Sequence, residues 1–334
     1  MSSARPAVAP TSAPVVAEIV RSGFVEGHHY GSIVALTGAG DVDWSVGDAD
    51  RPILPRSCNK PIQALAMVRL GLRLPQELLA LACASHSGEE FHVEGVRRIL
   101  GLAGLDESDL QTPAGYPLDD EAREALIRNG GGPAPIHMNC SGKHAAMLAT
   151  CRINGWETAT YRSPDHPLQE ATREAFAELV GEAVDTVAVD GCGAPLFPAS
   201  LVGLARAFRR LALGLDGADR PDPKVAEVAG AIRVHPEYVS GTRRDELTLL
   251  RAIPGAIGKA GAESCYALAL PDGRAIALKT DDGAPRVRPV LMAAALRRSG
   301  IDTGPDVDTE AVRRTGQVAL LGGGEPVGEI RACF

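Results

Sequence analysis

The chain has 334 residues, 45% of them hydrophobic, and a formal charge of −8 at neutral pH, enough apolar content to bury one large core. Acidic and basic residues are mixed throughout and aromatic residues make up only 4%. The concentrated basic surface and the stacking platform of a nucleic-acid binder are both missing, and a small polar ligand is expected.

In chain order, residues 1–14 are rich in Ala, Pro and Ser and lack the basic start and apolar run of a signal peptide. They read as a disordered tail ahead of a single domain over 15–334. No stretch approaches the roughly 20 apolar residues a membrane span needs. Seven scattered cysteines, at 58, 83, 140, 151, 192, 265 and 333, fit a cytoplasm that keeps thiols reduced.

Short β-branched runs over 15–21, 31–37 and 42–46 predict an N-terminal antiparallel meander. From Lys60 the apolar period becomes helical, with Ile62, Leu65, Ala66 and residues 68–70 in one stripe. Further helices are expected over 78–84, 93–100, 121–127, 142–152, 168–179, 201–213, 224–234 and 245–252, with a linker over 214–223. Strands return over 264–270 and 274–279, around the tight-turn signal Pro271-Asp272-Gly273, and again over 328–334. The fold class is therefore α/β: an antiparallel sheet built from 15–56 and 255–334, flanked by helices, with a mainly helical part over 57–254. A cleft between the two parts is the natural site.

Four clusters carry chemistry. Ser57 and Lys60 are three residues apart at the first helix start, where an uncharged lysine one turn on can accept the serine proton; the bland alternative is a capping serine beside a solvated lysine. Ser85 lies in the polar knot 83–89, where Ser85 and Ser87 could equally cap the next helix. Lys259 precedes the C-terminal hairpin, and Lys279 competes with it as a strand lysine. Cys140 and Lys143 share a helix start that favours a thiolate, and Asp190 and Cys192 stand in a glycine turn read as an exposed strand tip. Those two cysteines could hold zinc, although no Cys-x-x-Cys or His pair supports it. Cys83, Cys151, Cys265 and Cys333, inside apolar runs, read as buried inert thiols. Arg243 could clamp a substrate carboxylate or pair with Asp245. His166 and the pair His28-His29 are read as loop residues without partners.

Six motifs in order give the chain a family likeness. They are Pro55-Arg56-Ser57 with Lys60-Pro61-Ile62-Gln63-Ala64; Ala84-Ser85-His86-Ser87-Gly88-Glu89; Asn139-Cys140-Ser141-Gly142-Lys143-His144; Asp190-Gly191-Cys192-Gly193 with Pro195; His235-Pro236 with Gly241; and Lys259-Ala260-Gly261-Ala262-Glu263. With these the sequence resembles the asparaginase II family, the thermolabile type of L-asparaginase, over about residues 15–334. The resemblance implies a serine β-lactamase- and glutaminase-like fold, a homodimer, and two Ser-Lys pairs, Ser57 with Lys60 and Ser85 with Lys259. It implies a zinc site at Cys140, Lys143 and Cys192, and substrate contacts from Arg56, His144, Asp190, Arg243 and Glu263. The expected reaction is hydrolysis of the side-chain amide of L-asparagine; glutaminase, β-lactam or peptide hydrolysis, or a non-catalytic zinc-holding amide sensor, are the alternatives. Cys58 and Asn59 depart from the smaller residues expected between Ser57 and Lys60.

Overall fold

The computed structural model describes residues 13–334; the tail expected over 1–14 lies, through residue 12, outside the described residues. The strands are β1 (Val15–Arg21), β2 (Phe24–Leu36), β3 (Val42–Val46), β4 (Ala188–Val189), β5 (Pro195–Leu196), β6 (Ile257–Gly261), β7 (Cys265–Ala269), β8 (Ala275–Thr280), β9 (Ala319–Gly322) and β10 (Glu325–Ala332). The helices are α1 (Lys60–Arg69), α2 (Gln76–Ala82), α3 (Glu90–Leu102), α4 (Asp120–Arg128), α5 (Ser141–Ile153), α6 (Pro167–Val180), α7 (Leu201–Leu213), α8 (Pro223–Val234), α9 (Pro236–Val239), α10 (Asp245–Ala252), α11 (Arg288–Arg298) and α12 (Thr309–Thr315).

Eight strands form one antiparallel sheet in the order β6-β7-β8-β2-β1-β10-β9, with β3 also paired to β2. The sheet is assembled from both chain ends, as expected, with the N-terminal strands in the middle and the C-terminal strands on both sides. β2 is long enough to join both neighbourhoods: its first half pairs with β1, and residues 31–36 pair with β8. The expected hairpin joins β7 to β8, where Gly273 takes φ +87° and donates its N–H to the Leu270 carbonyl at 3.0 Å. α7 lies across β2, β6, β7 and β8, while α11 packs on β7, β8 and β10.

The 255–334 segment is not purely sheet, because α11 and α12 interrupt it. α11 escapes a reading by periodicity because residues 290–296 are buried on every side, leaving no polar face to mark a period. α1 has the same character. Its first nine residues are buried, and it packs against α2, α5, α6 and α8. Burying side chains such as Ile62, Leu65 and Met67 stabilises by about 1.5–3 kcal/mol each, so α1 is the rod on which the helical part is assembled. Lys60, its first residue, is thereby carried into the interior. No helix among the described residues is long and apolar enough to cross a membrane.

Candidate active site

Ser57 lies in a 3-10 turn (Arg56–Asn59) that runs directly into α1. Arg56 takes φ +52°, a left-handed backbone that persists for a residue with a side chain only where its surroundings hold it. Here Arg56 Nε donates to Asp190 Oδ1 at 2.7 Å, and Nη1 stands 3.5 Å from Glu263 Oε1. Glu263, at φ +56°, is itself in the turn that joins β6 to β7. β6 approaches the serine so closely that a Cβ on Gly261 would meet the Pro55 carbonyl oxygen at 2.7 Å and the Ser57 nitrogen at 3.2 Å. Cys58 fills the same seam, its thiol donating to the Lys259 carbonyl at 2.9 Å.

Lys60 is fully buried and donates to the Ala84 carbonyl at 2.7 Å, Ser85 Oγ at 2.9 Å and Cys140 Sγ at 3.0 Å. Among the described residues no hydrogen bond joins it to Ser57 and no carboxylate pairs with it. The expected pairing is therefore rewired: Lys60 is bonded to the second serine, not to the first. The long lysine chain reaches from the start of α1 to the 84–85 loop, where the Ala84 carbonyl and Ser85 hydroxyl hold it. That loop is held by His86. Its Nδ1 accepts the Gly88 N–H at 3.1 Å, so Nε2 carries the proton and donates to Ser141 Oγ at 2.8 Å; Ser141 in turn donates to the Ile136 carbonyl at 2.7 Å. Burial, with His92 and Lys60 nearby, holds the His86 ring well below the usual imidazole value and hence neutral. Neither Ser85 nor Ser87 caps α3, which begins without a side-chain cap at Glu89.

Lys259, also fully buried, is not hydrogen-bonded to Ser85 as the family pairing leads one to expect. Its ammonium donates to Glu246 Oε1 and to the Ala260 carbonyl, each at 2.8 Å. Glu246 was invisible to sequence reasoning because an acidic residue in the first turn of a helix normally faces water; here it is completely buried. Lys279 is partly buried on β8 and donates to the Thr280 carbonyl, whereas Lys259 lies near enough to Lys60 for their charges to repel.

Cys140 caps α5, with Lys143 one turn in, and Cys192 sits in the turn closed by Asp190 N–H to the Ala194 carbonyl at 2.9 Å. The expectation that Asp190 and Cys192 are exposed at a strand tip is wrong: Cys140 and Cys192 are 3% and 1% exposed, and Asp190 is covered by Arg56. Lys143 Nζ donates to Cys192 Sγ at 3.1 Å. A hydrogen bond from Cys140, together with the charge of Lys143, pulls the Cys192 thiol far below its ordinary value, while the same sharing pushes Cys140 up. Burial opposes charge on Lys143, but the two sulfurs and Asp190 outweigh it and raise its pKa. His144 Nδ1 meets Tyr161 Oη at 2.6 Å, its Nε2 has no hydrogen-bond partner, and burial lowers its pKa to about 4.

Among the described residues no group of three or more His, Cys, Asp and Glu side chains could hold a metal ion. A metal at this corner therefore requires the Lys143 amine as a ligand. Two sulfurs and one nitrogen suit zinc. The 3.1 Å N–S separation needs little relaxation to reach the edge of a tetrahedron with bonds of about 2.0–2.3 Å.

Arg243 departs from both expectations. It makes a two-pronged bond to Asp119 at 2.8 and 2.6 Å and an ion pair with Glu121 on the outside of the molecule, while Asp245 is taken by Arg288. His29 is buried on β2 against Asp282, and His166 caps α6 by accepting the Leu168 N–H, so both have partners. Cys83, Cys151 and Cys265 are buried as expected; Cys333 is exposed.

A helical part set on an antiparallel sheet, with serines and buried lysines at their seam, belongs with the hydrolases. More particularly, the chain belongs to the L-asparaginase II family, whose model matches residues 17–332, and so falls among amidohydrolases. Solved structures similar to it include a β-lactamase from Mycobacterium bovis, with 17% identity, covering 86% of this chain and 96% of that one at a TM-score of 0.45. EstCE1, a hydrolase with promiscuous acyltransferase activity, is 13% identical over 81% of this chain and 93% of its own, at a TM-score of 0.42. Mglu is 14% identical over 81% and 66%, at 0.37. No curated protein sequence matches the chain.

Proposed function

We propose that this chain hydrolyses the side-chain amide of L-asparagine to L-aspartate and ammonia, with Ser57 as nucleophile. The observation that carries the reading is the buried Lys60 amine, one turn beyond Ser57 and 2.9 Å from Ser85 Oγ. Ser57 Oγ makes no hydrogen bond among the described residues, which leaves it available to a substrate, whereas Ser85 is already committed to Lys60. Ser57 Oγ forms a bond to the amide carbon while its proton passes, through Ser85, to a Lys60 amine that has first released one of the three protons it donates in the resting site. Collapse of the tetrahedral adduct breaks the C–N bond, and the proton leaves with the nitrogen as ammonia. Water then cleaves the aspartyl ester and regenerates the hydroxyl.

Arg56, Asp190 and Glu263 stand beside Ser57 with both signs of charge, suited to the carboxylate and ammonium of an amino-acid substrate. Zinc, held by Cys140, Lys143 and Cys192, would supply a Lewis-acidic charge that orients the polar end of the substrate. We place the enzyme in the cytoplasm, where its scattered cysteines would stay reduced, and as a homodimer, following the family resemblance. One methylene separates asparagine from glutamine, worth only about 1–3 kcal/mol in a pocket, so glutamine is the comparison substrate. Ammonia release from asparagine by the purified protein is the test. Ser57→Ala should lower it by at least about a thousandfold. A fully active Ser57→Ala enzyme would transfer the nucleophile to Ser85.

A further inference from the structure

We propose that Glu246 is a positioning residue whose carboxylate holds Lys259 in place and charged on β6, the strand packed against the Ser57 backbone; this role rests on the amidohydrolase reading above. Glu246 Oε1 accepts two hydrogen bonds at 2.8 Å, from Lys259 Nζ and from the Ala260 N–H, and Oε2 lies 3.4 Å from the Arg244 guanidinium. One carboxylate thus anchors the lysine side chain, the β6 backbone next to it and the start of α10. A lysine ammonium has three donors, and two of those on Lys259 are spent on Glu246 and the Ala260 carbonyl. The third is uncommitted among the described residues. A fixed cation with one free N–H, on the strand whose Gly261 touches the Ser57 backbone, is what a developing oxyanion requires. A shuttling role fits poorly, because each proton leaving Lys259 would take from the fully buried Glu246 its nearest cation, leaving the Ala260 N–H and the more distant charges of Arg244 and Arg288.

The groups around the ammonium set the sign of the test. Glu246 and Arg244 face it from α10, Lys60 from α1, Cys58 from the 3-10 turn and Cys83 from the end of α2. Burial lowers the pKa of Lys259, Glu246 raises it, and Lys60 and Arg244 lower it further. Removing the Glu246 charge therefore leaves chiefly lowering influences, and Lys259 gives up its proton at a lower pH.

The experiment compares Glu246→Gln and Glu246→Asp with the full wild-type protein. Glu246→Gln keeps the shape and an acceptor for the Ala260 N–H. Its kcat for asparagine should fall about 100-fold with KM changed less than about threefold. Loss of the Lys259 proton should bring a fall in activity at high pH that begins at least about one pH unit nearer neutrality in Glu246→Gln than in the wild type, and Glu246→Asp should lie between the two. In parallel, NMR of protein labelled at the lysine ε-carbon follows the Lys259 signal, assigned by its loss in Lys259→Met. Titration at lower pH in Glu246→Gln supports the proposal; identical titration, or wild-type kcat and pH profile in Glu246→Gln at whatever melting temperature, overturns it. Should Glu246→Gln not fold, Glu246→Asp is read by the same criteria. If the wild-type protein releases no ammonia from asparagine, the substrate reading fails, while the NMR titration still decides whether Glu246 keeps Lys259 charged.

Discussion

Two buried lysines in this molecule meet opposite electrostatic fates. At the thiol corner, Lys143 faces two sulfurs and Asp190, and these overcome burial to raise its pKa. At the sheet edge, Lys259 has a full carboxylate at 2.8 Å, yet burial prevails and its pKa is lowered. The difference lies in the neighbours. Glu246 serves Arg244 as well as Lys259, and Lys60 adds a like charge nearby, whereas among the described residues the second cation at the thiol corner, Lys60, bonds Cys140 and leaves Cys192 to Lys143. A counter-ion's worth to a buried lysine thus depends on how many positive groups share it.

The sharpest way to separate the two regions is to remove each amine. Lys259→Met should lower ammonia release by about 100- to 1,000-fold while keeping its zinc; Lys143→Met should lose zinc. Metal analysis of both proteins, purified without chelator, reads the contrast, and equal zinc in the two would dissolve it. A second, smaller effect is pH dependence of metal uptake. Lys143 is held protonated by its sulfurs and Cys140 by sharing with Cys192, so both must release protons on ligation. Zinc affinity should accordingly rise by at least about tenfold per pH unit below their pKa values; a competition titration at two pH values measures it, and a pH-independent affinity would remove the lysine from the ligand set. The smallest effect is expected outside both regions. Arg243→Ala breaks an exposed ion pair with Asp119 and should leave KM for asparagine within about twofold; a large rise in KM would bring Arg243 back as a substrate clamp.

Much of this architecture is legible in the residues. The boundaries of α7 and α10 coincide with the expected ones, because each has an amphipathic pattern ending at a clear breaker or a change of period. β1, β3 and the β7–β8 hairpin follow from alternation and from Gly273. α11 and β9 are not legible: the first is apolar all round, and the second is a short edge strand defined by its pairing with β10. In the site, residue types and neighbourhoods can be read, but pairings cannot. An i, i+3 spacing says that two side chains share a face, not which partners a long side chain takes, and Lys60 is bonded to the 84–85 loop and Cys140, which lie far from it in sequence. Glu246 is hidden for a related reason, since nothing in Asp245-Glu246 distinguishes a carboxylate facing water from one facing a lysine on a strand that comes later in the chain.

The missing side chain at Gly261 has a consequence for how the site comes into being. The backbone of Ser57 is clasped by a strand some two hundred positions further along, and the sulfur of Cys58 hangs its proton on that same strand. A nascent chain that has emerged only through α9 already carries Ser57, Lys60, Ser85 and all three thiol-corner residues, but lacks β6 to close against them. Reactive groups and their enclosure are therefore separated in time, so that competence arrives late in synthesis and as a single event.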